Sequence, residues 1–351
     1  MTAKHKAGKG KAGPAVFFCI LLLSGILLSG CGKRVIQPVT KSAFLLNTFV
    51  TVTLYDSDDM DILNGALDLC REYEMVFSRT REDSELYAIN HRPPKTQPME
   101  VSDDMAALLE KGLYYSELSG GSFDITIEPV SSLWDFTDEK KVPPKEEIEE
   151  GLEKVGYENL KLEGNTLTFL SDDVAIDLGA IAKGYIADRM KDYLKEEGIE
   201  SAIINLGGNV LCLGKQTSGE PFRVGLRDPK GGADEVLGSL AVDDLSVVSS
   251  GVYERCFVED GINYHHLLDP STGYPYQNGL ESVTILSPLS VDGDGLSTTC
   301  FSLGLEKGME LLDSLEDIYG IFMETDGTLH YSQGAEQFLI QEAGGSQAAS
   351  E

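Results

Sequence analysis

The chain has 351 residues, 42% of them hydrophobic, which is enough for one large domain or two ordinary ones. Its formal net charge of −30 at pH 7 argues against a nucleic-acid-binding protein, because such proteins carry a basic patch or stripe. An anionic surface of this kind attracts phosphates only where cations or backbone amides gather.

The beginning of the chain has the pattern of a bacterial export signal. Lysines between positions 4 and 11 precede an apolar run over residues 15–28, which is shorter than the roughly 20 residues that a membrane-spanning helix needs. Ser29 and Gly30 then precede Cys31, an arrangement that resembles the lipobox of bacterial lipoproteins. We therefore expect a signal peptide over residues 1–30, lipidation of Cys31, and export to the extracytoplasmic face of a membrane. An uncleaved signal anchor is the alternative.

The first part of the mature chain is predicted to be rich in helices. After a lipid-anchored tether over residues 31–41, β-branched and aromatic residues predict a strand over residues 44–56. Apolar residues at intervals of three and four then predict helices over residues 61–77, 105–118 and 146–156.

Strands and turns dominate from about residue 160 onward, with hairpin signals at Glu163, Glu259 and Thr325. Two helices are inserted, over residues 181–197 and 294–303. Strand pairs mixed with segregated helices, without a regular β-α-β rhythm, predict an α+β fold with mixed or antiparallel sheets and flanking helices. A polar tail over residues 342–351 is predicted to be disordered.

The cysteines of the mature domain are widely spaced and form no C-x-x-C pair: they are Cys70, Cys212, Cys256 and Cys300. Such spacing favours small core residues over a zinc site, although disulfides stay possible outside the cell.

The segment "AIDLGAIAKGYIADRM" predicts a strand end, a turn at Gly179 and the start of a helix. Such a corner points backbone amides at the space above the helix, which suits a phosphate. Lys183 lies in the first helical turn, where a cation opposes the helix dipole unless an anion is near. The alternatives are an anion site and a solvated lysine. The segment does not match a P-loop.

The segment "VDGDGLSTTCFSLG" places Asp294 and Thr298 four residues apart, on one face of a predicted helix. A carboxylate and a hydroxyl there offer the oxygen ligands that Mg²⁺ prefers. Alternatively, Asp294 is an N-cap and Thr298 hydrogen-bonds back to a helix carbonyl. Asp292 is either a third oxygen ligand or a turn residue.

Two further stretches contain residue types suited to a site. Gly120 and Gly121 allow the backbone to approach a ligand, and Phe123 and Trp134 could stack on a flat ring, although a helix end followed by a strand explains the glycines equally well.

In "YHHLLDPSTGYP", His265 and His266 point to opposite faces if the strand continues through them. One of them then faces a site and could accept a hydroxyl proton, or both are structural. No spacing supports a hydrolase triad.

Seven segments in this order resemble the ApbE family, the FAD:protein FMN transferases: "LLNTFVTVTLYD", "FSRTREDSELYAIN", "GGSFDITIEPVSSLWDF", "AIDLGAIAKGYIAD", "INLGGNV", "HHLLDPSTGYP" and "DGLSTT". The resemblance implies an exported, lipid-anchored enzyme that uses Mg²⁺ and takes FAD as substrate. It implies transfer of FMN to a threonine or serine of an extracytoplasmic flavoprotein, with release of AMP. It also implies a T-fold-like single catalytic unit of two intertwined subdomains over residues 42–341.

The resemblance assigns roles residue by residue. His266 matches the family histidine and is the predicted catalytic residue, with His265 as its structural neighbour. The Ala180 carbonyl, Asp294 and Thr298 match a Mg²⁺ site. The positions that match FAD-binding residues are Leu46, Thr80, Ser122, Phe123, Asp124, Asp177, Lys183 and Leu267.

Two departures from the family pattern concern flavin packing. Leu46, Asn47 and Thr48 stand where the family usually has Met-Gly-Thr, and Thr80 stands where an aromatic residue is common. We expect these changes to affect FAD affinity rather than reaction type.

Two rival functions are consistent with the sequence. One is an FAD pyrophosphatase, in which water replaces the acceptor hydroxyl at the same site. The other is a non-catalytic solute-binding lipoprotein, which predicts that Asp294, Thr298 and Lys183 do not converge in one pocket.

Overall fold

A computed structural model of the protein describes residues 1–3, 37–94, 98–231 and 235–340. The chain divides into two compact units, Met1–Ile36 and Gln37–Glu351, and the features below belong to the second. Apart from residues 1–3, the predicted signal peptide lies outside the described residues, as do Cys31 and the predicted tail over residues 342–351. No helix within the described ranges is long and apolar enough to cross a membrane.

The strands of the described residues have the following bounds: β1 Val39–Leu45, β2 Thr48–Leu54, β3 Met99–Glu100, β4 Leu160–Glu163, β5 Thr166–Phe169, β6 Ala202–Leu206, β7 Asn209–Leu213, β8 Phe222–Arg227, β9 Val236–Val242, β10 Ser246–Gly251, β11 Cys256–Glu259, β12 Ile262–His265, β13 Leu280–Ser287, β14 Tyr319–Glu324 and β15 Leu329–Tyr331. The α-helices are α1 Met60–Phe77, α2 Glu85–Asn90, α3 Asp103–Leu118, α4 Glu128–Ser131, α5 Lys145–Leu152, α6 Ala182–Glu196, α7 Ser290–Leu303 and α8 Leu305–Asp313.

Eight strands form a central sheet in the order β1-β2-β6-β7-β10-β13-β14-β15. All of its pairings are antiparallel, as are those of the smaller sheets β3-β5-β4, β8-β9 and β11-β12. The three predicted hairpins are β4–β5, β11–β12 and β14–β15. The predicted α+β fold is therefore confirmed.

The central sheet separates two hydrophobic clusters because alternate residues of a strand point to opposite faces. On β13, Val283 and Ile285 join the larger cluster, which includes the helices, whereas Leu286 joins the cluster beneath β8 and β9. A third cluster surrounds Trp134. Cys70, Cys212 and Cys300 are buried and free, which agrees with their prediction as core residues, while Cys256 is free and half-buried.

The strand predicted over residues 44–56 is instead the hairpin β1–β2, and β1 starts at Val39, inside the predicted tether. Leu46 and Asn47 form its two-residue turn with left-handed φ angles of 54° and 56°. Turns of this kind usually contain glycine. Because Leu46 and Asn47 include none, the sequence did not predict a turn there.

The predicted strand end before Gly179 does not form, and neither does the strand that was the alternative explanation of Gly120 and Gly121. The segment after Gly121 makes turns and the short helix α4, and residues 174–177 are not part of any sheet among the described residues. The Asp177 amide instead donates to the carbonyl of Ile125 at 2.8 Å, which ties this segment to the loop after α3.

Helix α7 begins at Ser290, four residues before its predicted start at residue 294. Its cap comes from another helix: the Asp188 carboxylate of α6 accepts from the amides of Ser290 at 2.8 Å and Val291 at 2.9 Å. Gly184 permits the close approach of α6 to α7, since a Cβ there would lie 2.3 Å from the Ser290 carbonyl oxygen. This contact brings the first turns of the two helices together.

Candidate active site

A cavity of about 720 Å³ opens where α6, α7, β10 and the β1–β2 turn meet the loops after α3 and β12. All twelve residues predicted for catalysis, metal binding and FAD binding line it: Leu46, Thr80, Ser122, Phe123, Asp124, Asp177, Ala180, Lys183, His266, Leu267, Asp294 and Thr298. The structure thus brings together residues spread over most of the mature chain.

Asp294 is only 3% exposed and accepts two hydrogen bonds. The Gly184 amide donates to Oδ2 at 2.6 Å, and the Asn209 side-chain amide donates to Oδ1 at 2.9 Å. Asp294 is not an N-cap, because α7 begins before it and its N-cap position is Leu289. The half-buried Thr298 is one turn further along, with its Oγ1 3.2 Å from Oγ of Ser250.

The donor atoms at this point of the cavity suit Mg²⁺. The Asp294 carboxylate, the Thr298 hydroxyl and the Ala180 carbonyl are all hard oxygen ligands. Asp294 forms no direct ion pair within the described residues. Burial raises its pKa in spite of the opposing charge of Lys183, so a cation bound at its oxygens would further stabilise the ionised carboxylate. No cluster of three His, Cys, Asp or Glu side chains is found in the described ranges, so the fit rests on this mixed oxygen set.

Asp292 is not a third ligand in this arrangement. Its Oδ1 accepts from Lys111 Nζ at 2.7 Å and from the Tyr115 hydroxyl at 2.7 Å, and it does not line the cavity. Asp292 therefore attaches α7 to α3.

Cationic side chains line the cavity of this otherwise acidic protein. Lys183 is half-buried and makes no ion pair in the part of the chain that the structure describes. Arg255 is exposed at the cavity, and Arg79 lies there with its Nε 3.4 Å from Asp177. Together these residues can bind a polyanion.

The expectation that several amides of the α6 corner face a phosphate is only partly met. The Ala182 amide donates to the Leu178 carbonyl at 2.9 Å, and the Gly184 amide donates to Asp294. The charge of Lys183 is consequently the main attraction for an anion at this helix end.

His265 and His266 have different environments, as the strand pattern predicts. His265 is 2% exposed; its Nδ1 accepts from the Leu267 amide, so its Nε2 donates to the Tyr276 carbonyl, at 2.9 Å. The half-buried His266 lines the cavity, and its Nδ1 is buried without a hydrogen-bond partner in the described residues. Burial, reinforced by the charge of Arg255, lowers the pKa of His266 to about 3, so its ring is neutral at pH 7.

The predicted FAD-binding residues that line the cavity differ in their hydrogen bonds and in their exposure. The Leu46 amide donates to Glu74 at 2.8 Å, and Thr80 is exposed. Asp177 accepts from Ser131 Oγ at 2.8 Å, within reach of solvent.

Hydrogen bonds of Asp124 and Tyr276 fix the conformation of the loop after α3. Asp124 accepts from Thr126 and from the Tyr157 amide at 3.0 Å, so both of its oxygens already have partners and it braces the loop. The Tyr276 hydroxyl donates to the Ser122 carbonyl at 2.8 Å. Trp134 is stacked on Phe136 within the third cluster, which occupies a ring face that could otherwise stack on a ligand.

Sequence reasoning missed several residues of the site, namely Arg79, Asn209, Ser250, Arg255 and Tyr276. Asn209 lies in "INLGGNV", a segment that carried the family resemblance without a role for this residue. Arg79 likewise lies in "FSRTREDSELYAIN", whereas Ser250, Arg255 and Tyr276 lie outside the seven segments.

Comparisons with known proteins agree with this arrangement. A model of the ApbE family matches residues 46–322. The FAD:protein FMN transferase of Treponema pallidum is 33% identical over 340 residues, covering 91% of this chain and 92% of the relative. A FAD:protein FMN transferase of Klebsiella pneumoniae is 38% identical over 285 residues, covering 80% and 88%.

The structure of the flavin transferase ApbE from Vibrio cholerae superposes with a TM-score of 0.78 and 28% identity, covering 86% of this chain and 99% of that one. Family model, relatives and solved structure agree over most of the chain. The chain therefore belongs to the ApbE family, and the prediction that it is an enzyme, a transferase, is confirmed.

Proposed function

We propose that the protein transfers the FMN half of FAD to a threonine or serine hydroxyl of an acceptor flavoprotein, in a Mg²⁺-dependent reaction that releases AMP. The observation that carries the proposal is the convergence of Asp294, Thr298, Lys183 and His266 in one cavity. A solute-binding lipoprotein requires no such convergence. The relatives named as FAD:protein FMN transferases support the same choice of substrate.

Different residues of the cavity could bind the metal ion and the phosphates of a diphosphate substrate. Asp294, Thr298 and the Ala180 carbonyl would hold Mg²⁺, which when bound neutralises charge on the pyrophosphate and acts as a Lewis acid. Lys183 and Arg255 contribute fixed positive charge at the same cavity, where a developing phosphate charge needs stabilisation.

His266 is the group that can take the proton of the acceptor hydroxyl. Its ring is neutral at pH 7, and a bound pyrophosphate would raise its pKa toward the neutral range because a nearby negative charge favours the imidazolium. As the proton moves to His266, the acceptor oxygen forms a bond to the FMN phosphorus. The bond from that phosphorus to the bridging oxygen breaks, and AMP leaves with the electron pair.

Incubation with FAD and Mg²⁺ tests the proposal against the pyrophosphatase alternative. With a protein acceptor present, AMP should form in step with FMN attached to the acceptor. Without an acceptor, a transferase should leave FAD intact. A pyrophosphatase would release free FMN and AMP as fast without the acceptor as with it.

We also propose that the protein is exported and anchored through Cys31 to the extracytoplasmic face of a bacterial membrane. The basic leader, the short apolar run and the Ser-Gly-Cys sequence support this location. Fractionation of cells that express the full chain or a Cys31→Ser variant tests it. The wild-type protein should sediment with membranes and carry lipid; an unlipidated wild-type protein would contradict the proposal.

A further inference from the structure

Asn209 is the first residue of β7 and is 1% exposed, yet nothing in the reaction described above uses it. Its side-chain amide lies 2.9 Å from Oδ1 of Asp294, directly behind the carboxylate of the predicted metal site. We propose that Asn209 is a positioning residue that orients the Asp294 carboxylate for Mg²⁺. This inference rests on the proposed function, because it assigns a role toward the metal that the function requires.

The hydrogen bonds of Asn209 fix the direction of its amide. A carboxylate only accepts, so the NH₂ group must face Asp294, and the Oδ1 atom accepts from the Ser290 hydroxyl at 2.8 Å. Both ends of the side chain are therefore bonded, and both partners belong to α7. Rotation of the amide would place two acceptors face to face.

The backbone that carries Asn209 is equally constrained. Leu206 pairs with Asn209 across a two-residue turn formed by Gly207 and Gly208, whose φ angles are 63° and 97°. Gly207 packs so closely on β2 that a Cβ there would lie 2.2 Å from Oγ1 of Thr48. The hairpin thus presents Asn209 to α7 from a fixed position.

The arrangement leaves room for a metal on the same carboxylate. An ionised carboxylate has about four lone-pair positions, and two on Asp294 are taken by the Asn209 side chain and the Gly184 amide. These two donors come from different elements, β7 and α6, and hold one oxygen each. Without Asn209, one oxygen loses its only donor among the described residues, and the carboxylate is free to rotate about its remaining bond.

The test measures how strongly Mg²⁺ and FAD assist each other's binding, in a protein that does not consume FAD. We would titrate FAD calorimetrically into the full chain carrying His266→Ala, once with Mg²⁺ and once with EDTA. The coupling is the dissociation constant of FAD measured in EDTA divided by the one measured with Mg²⁺. Adding Asn209→Leu should lower this ratio about 10- to 100-fold, the usual effect of losing a partner of a metal ligand, and leave the FAD affinity in EDTA unchanged.

Two further variants separate positioning from general damage. Ser290→Ala removes the bond to Asn209 Oδ1 and the bond that Ser290 accepts from Ser246 Oγ at 2.9 Å, but it leaves both donors to Asp294 in place, so it should reduce the coupling less than Asn209→Leu does. Asn205→Ala removes a side chain of the same hairpin that accepts from the Gly208 amide at 3.0 Å and does not contact Asp294, so it should leave the coupling unchanged.

Three results would overturn the inference. If Asn209→Leu keeps the coupling, Asp294 needs no help from Asn209, while the proposed function stands. If Asn209→Leu weakens FAD binding equally with EDTA and with Mg²⁺, Asn209 supports the fold rather than the metal site. If the His266→Ala parent shows no coupling, the metal part of the proposed function fails as well.

Discussion

The backbone amide of Gly184 lies 2.6 Å from Oδ2 of Asp294, so α6 and α7 meet at the carboxylate of the predicted metal site. The same glycine packs against the start of α7, where an added Cβ would lie 2.3 Å from the Ser290 carbonyl oxygen and 2.7 Å from Cα of Val291. The geometry of the site therefore depends on how closely these two helices approach.

Gly184→Ala should separate the helices, because the new methyl group meets backbone atoms that cannot rotate away. We expect a loss of about 1–3 kcal/mol in the free energy of unfolding and a loss of transferase activity beyond the fraction unfolded. Urea unfolding and activity assays check this. Gly238→Ala is the matched control, since no atom lies within 4 Å of a Cβ there. Equal stability of the two variants would show that the close approach is unimportant.

Asp294→Ala should abolish transfer, with a loss of more than about 100-fold, because it removes the only carboxylate of the proposed metal site. The comparison is Asp292→Asn, two residues earlier. This change weakens the contacts of α7 with Lys111 and Tyr115 and should lower stability by about 1 kcal/mol while folded molecules keep their activity. Normal transfer by Asp294→Ala at limiting Mg²⁺ would show that the metal site is wrongly assigned.

Lys183→Met should weaken FAD binding, because this cation lines the cavity, forms no direct ion pair among the described residues and is available to a phosphate. Hydrogen bonds to charged groups contribute about 1.5–3 kcal/mol, which corresponds to a rise of about 10- to 100-fold in KM for FAD. Lys161→Met removes a lysine that pairs with Glu163 on β4 at 2.9 Å, away from the cavity, and should leave KM unchanged. An unchanged KM in Lys183→Met would exclude the lysine from phosphate binding.

The stability of the protein should fall in mild acid because of its buried histidines. Burial lowers the pKa of His265 to about 4, while an unfolded histidine has a pKa of about 6.5. Between these values the unfolded chain binds more protons than the folded one, so the free energy of unfolding rises with pH. His265→Gln should make this dependence shallower by up to about 1.4 kcal/mol per pH unit, as measured by urea unfolding between pH 4.5 and 6. An unchanged slope would contradict the buried, neutral state of His265.

Local patterns predicted the long amphipathic helices well. The helix predicted over residues 61–77 is α1 Met60–Phe77, and that over residues 181–197 is α6 Ala182–Glu196. Helix α7 was harder because it is buried on nearly every side, so it has no polar face to create a period, and its cap, Asp188, lies 102 residues away from Ser290. The order of the strands in the central sheet has no local signal at all.

The candidate site likewise contains residues that local motifs predict and contacts that only the fold creates. Residues such as His266 and Asp294 were predicted from short motifs that resemble a family pattern, and the structure places them in one cavity. Asn209 also lies in such a motif, but its role was not predicted, because it meets Asp294 across 85 residues of sequence and the contact depends on the pairing of β6 with β7 and on the packing of α7. Only the folded chain brings such partners together.

The most direct test of the central claim is the intact mass of an acceptor flavoprotein domain after incubation with the purified protein, FAD and Mg²⁺. The account predicts that the acceptor gains one FMN on a threonine or serine, and that this gain disappears with EDTA or with His266→Ala. Full transfer by the His266→Ala variant, or an unmodified acceptor while FAD is cleaved to free FMN and AMP, would contradict it.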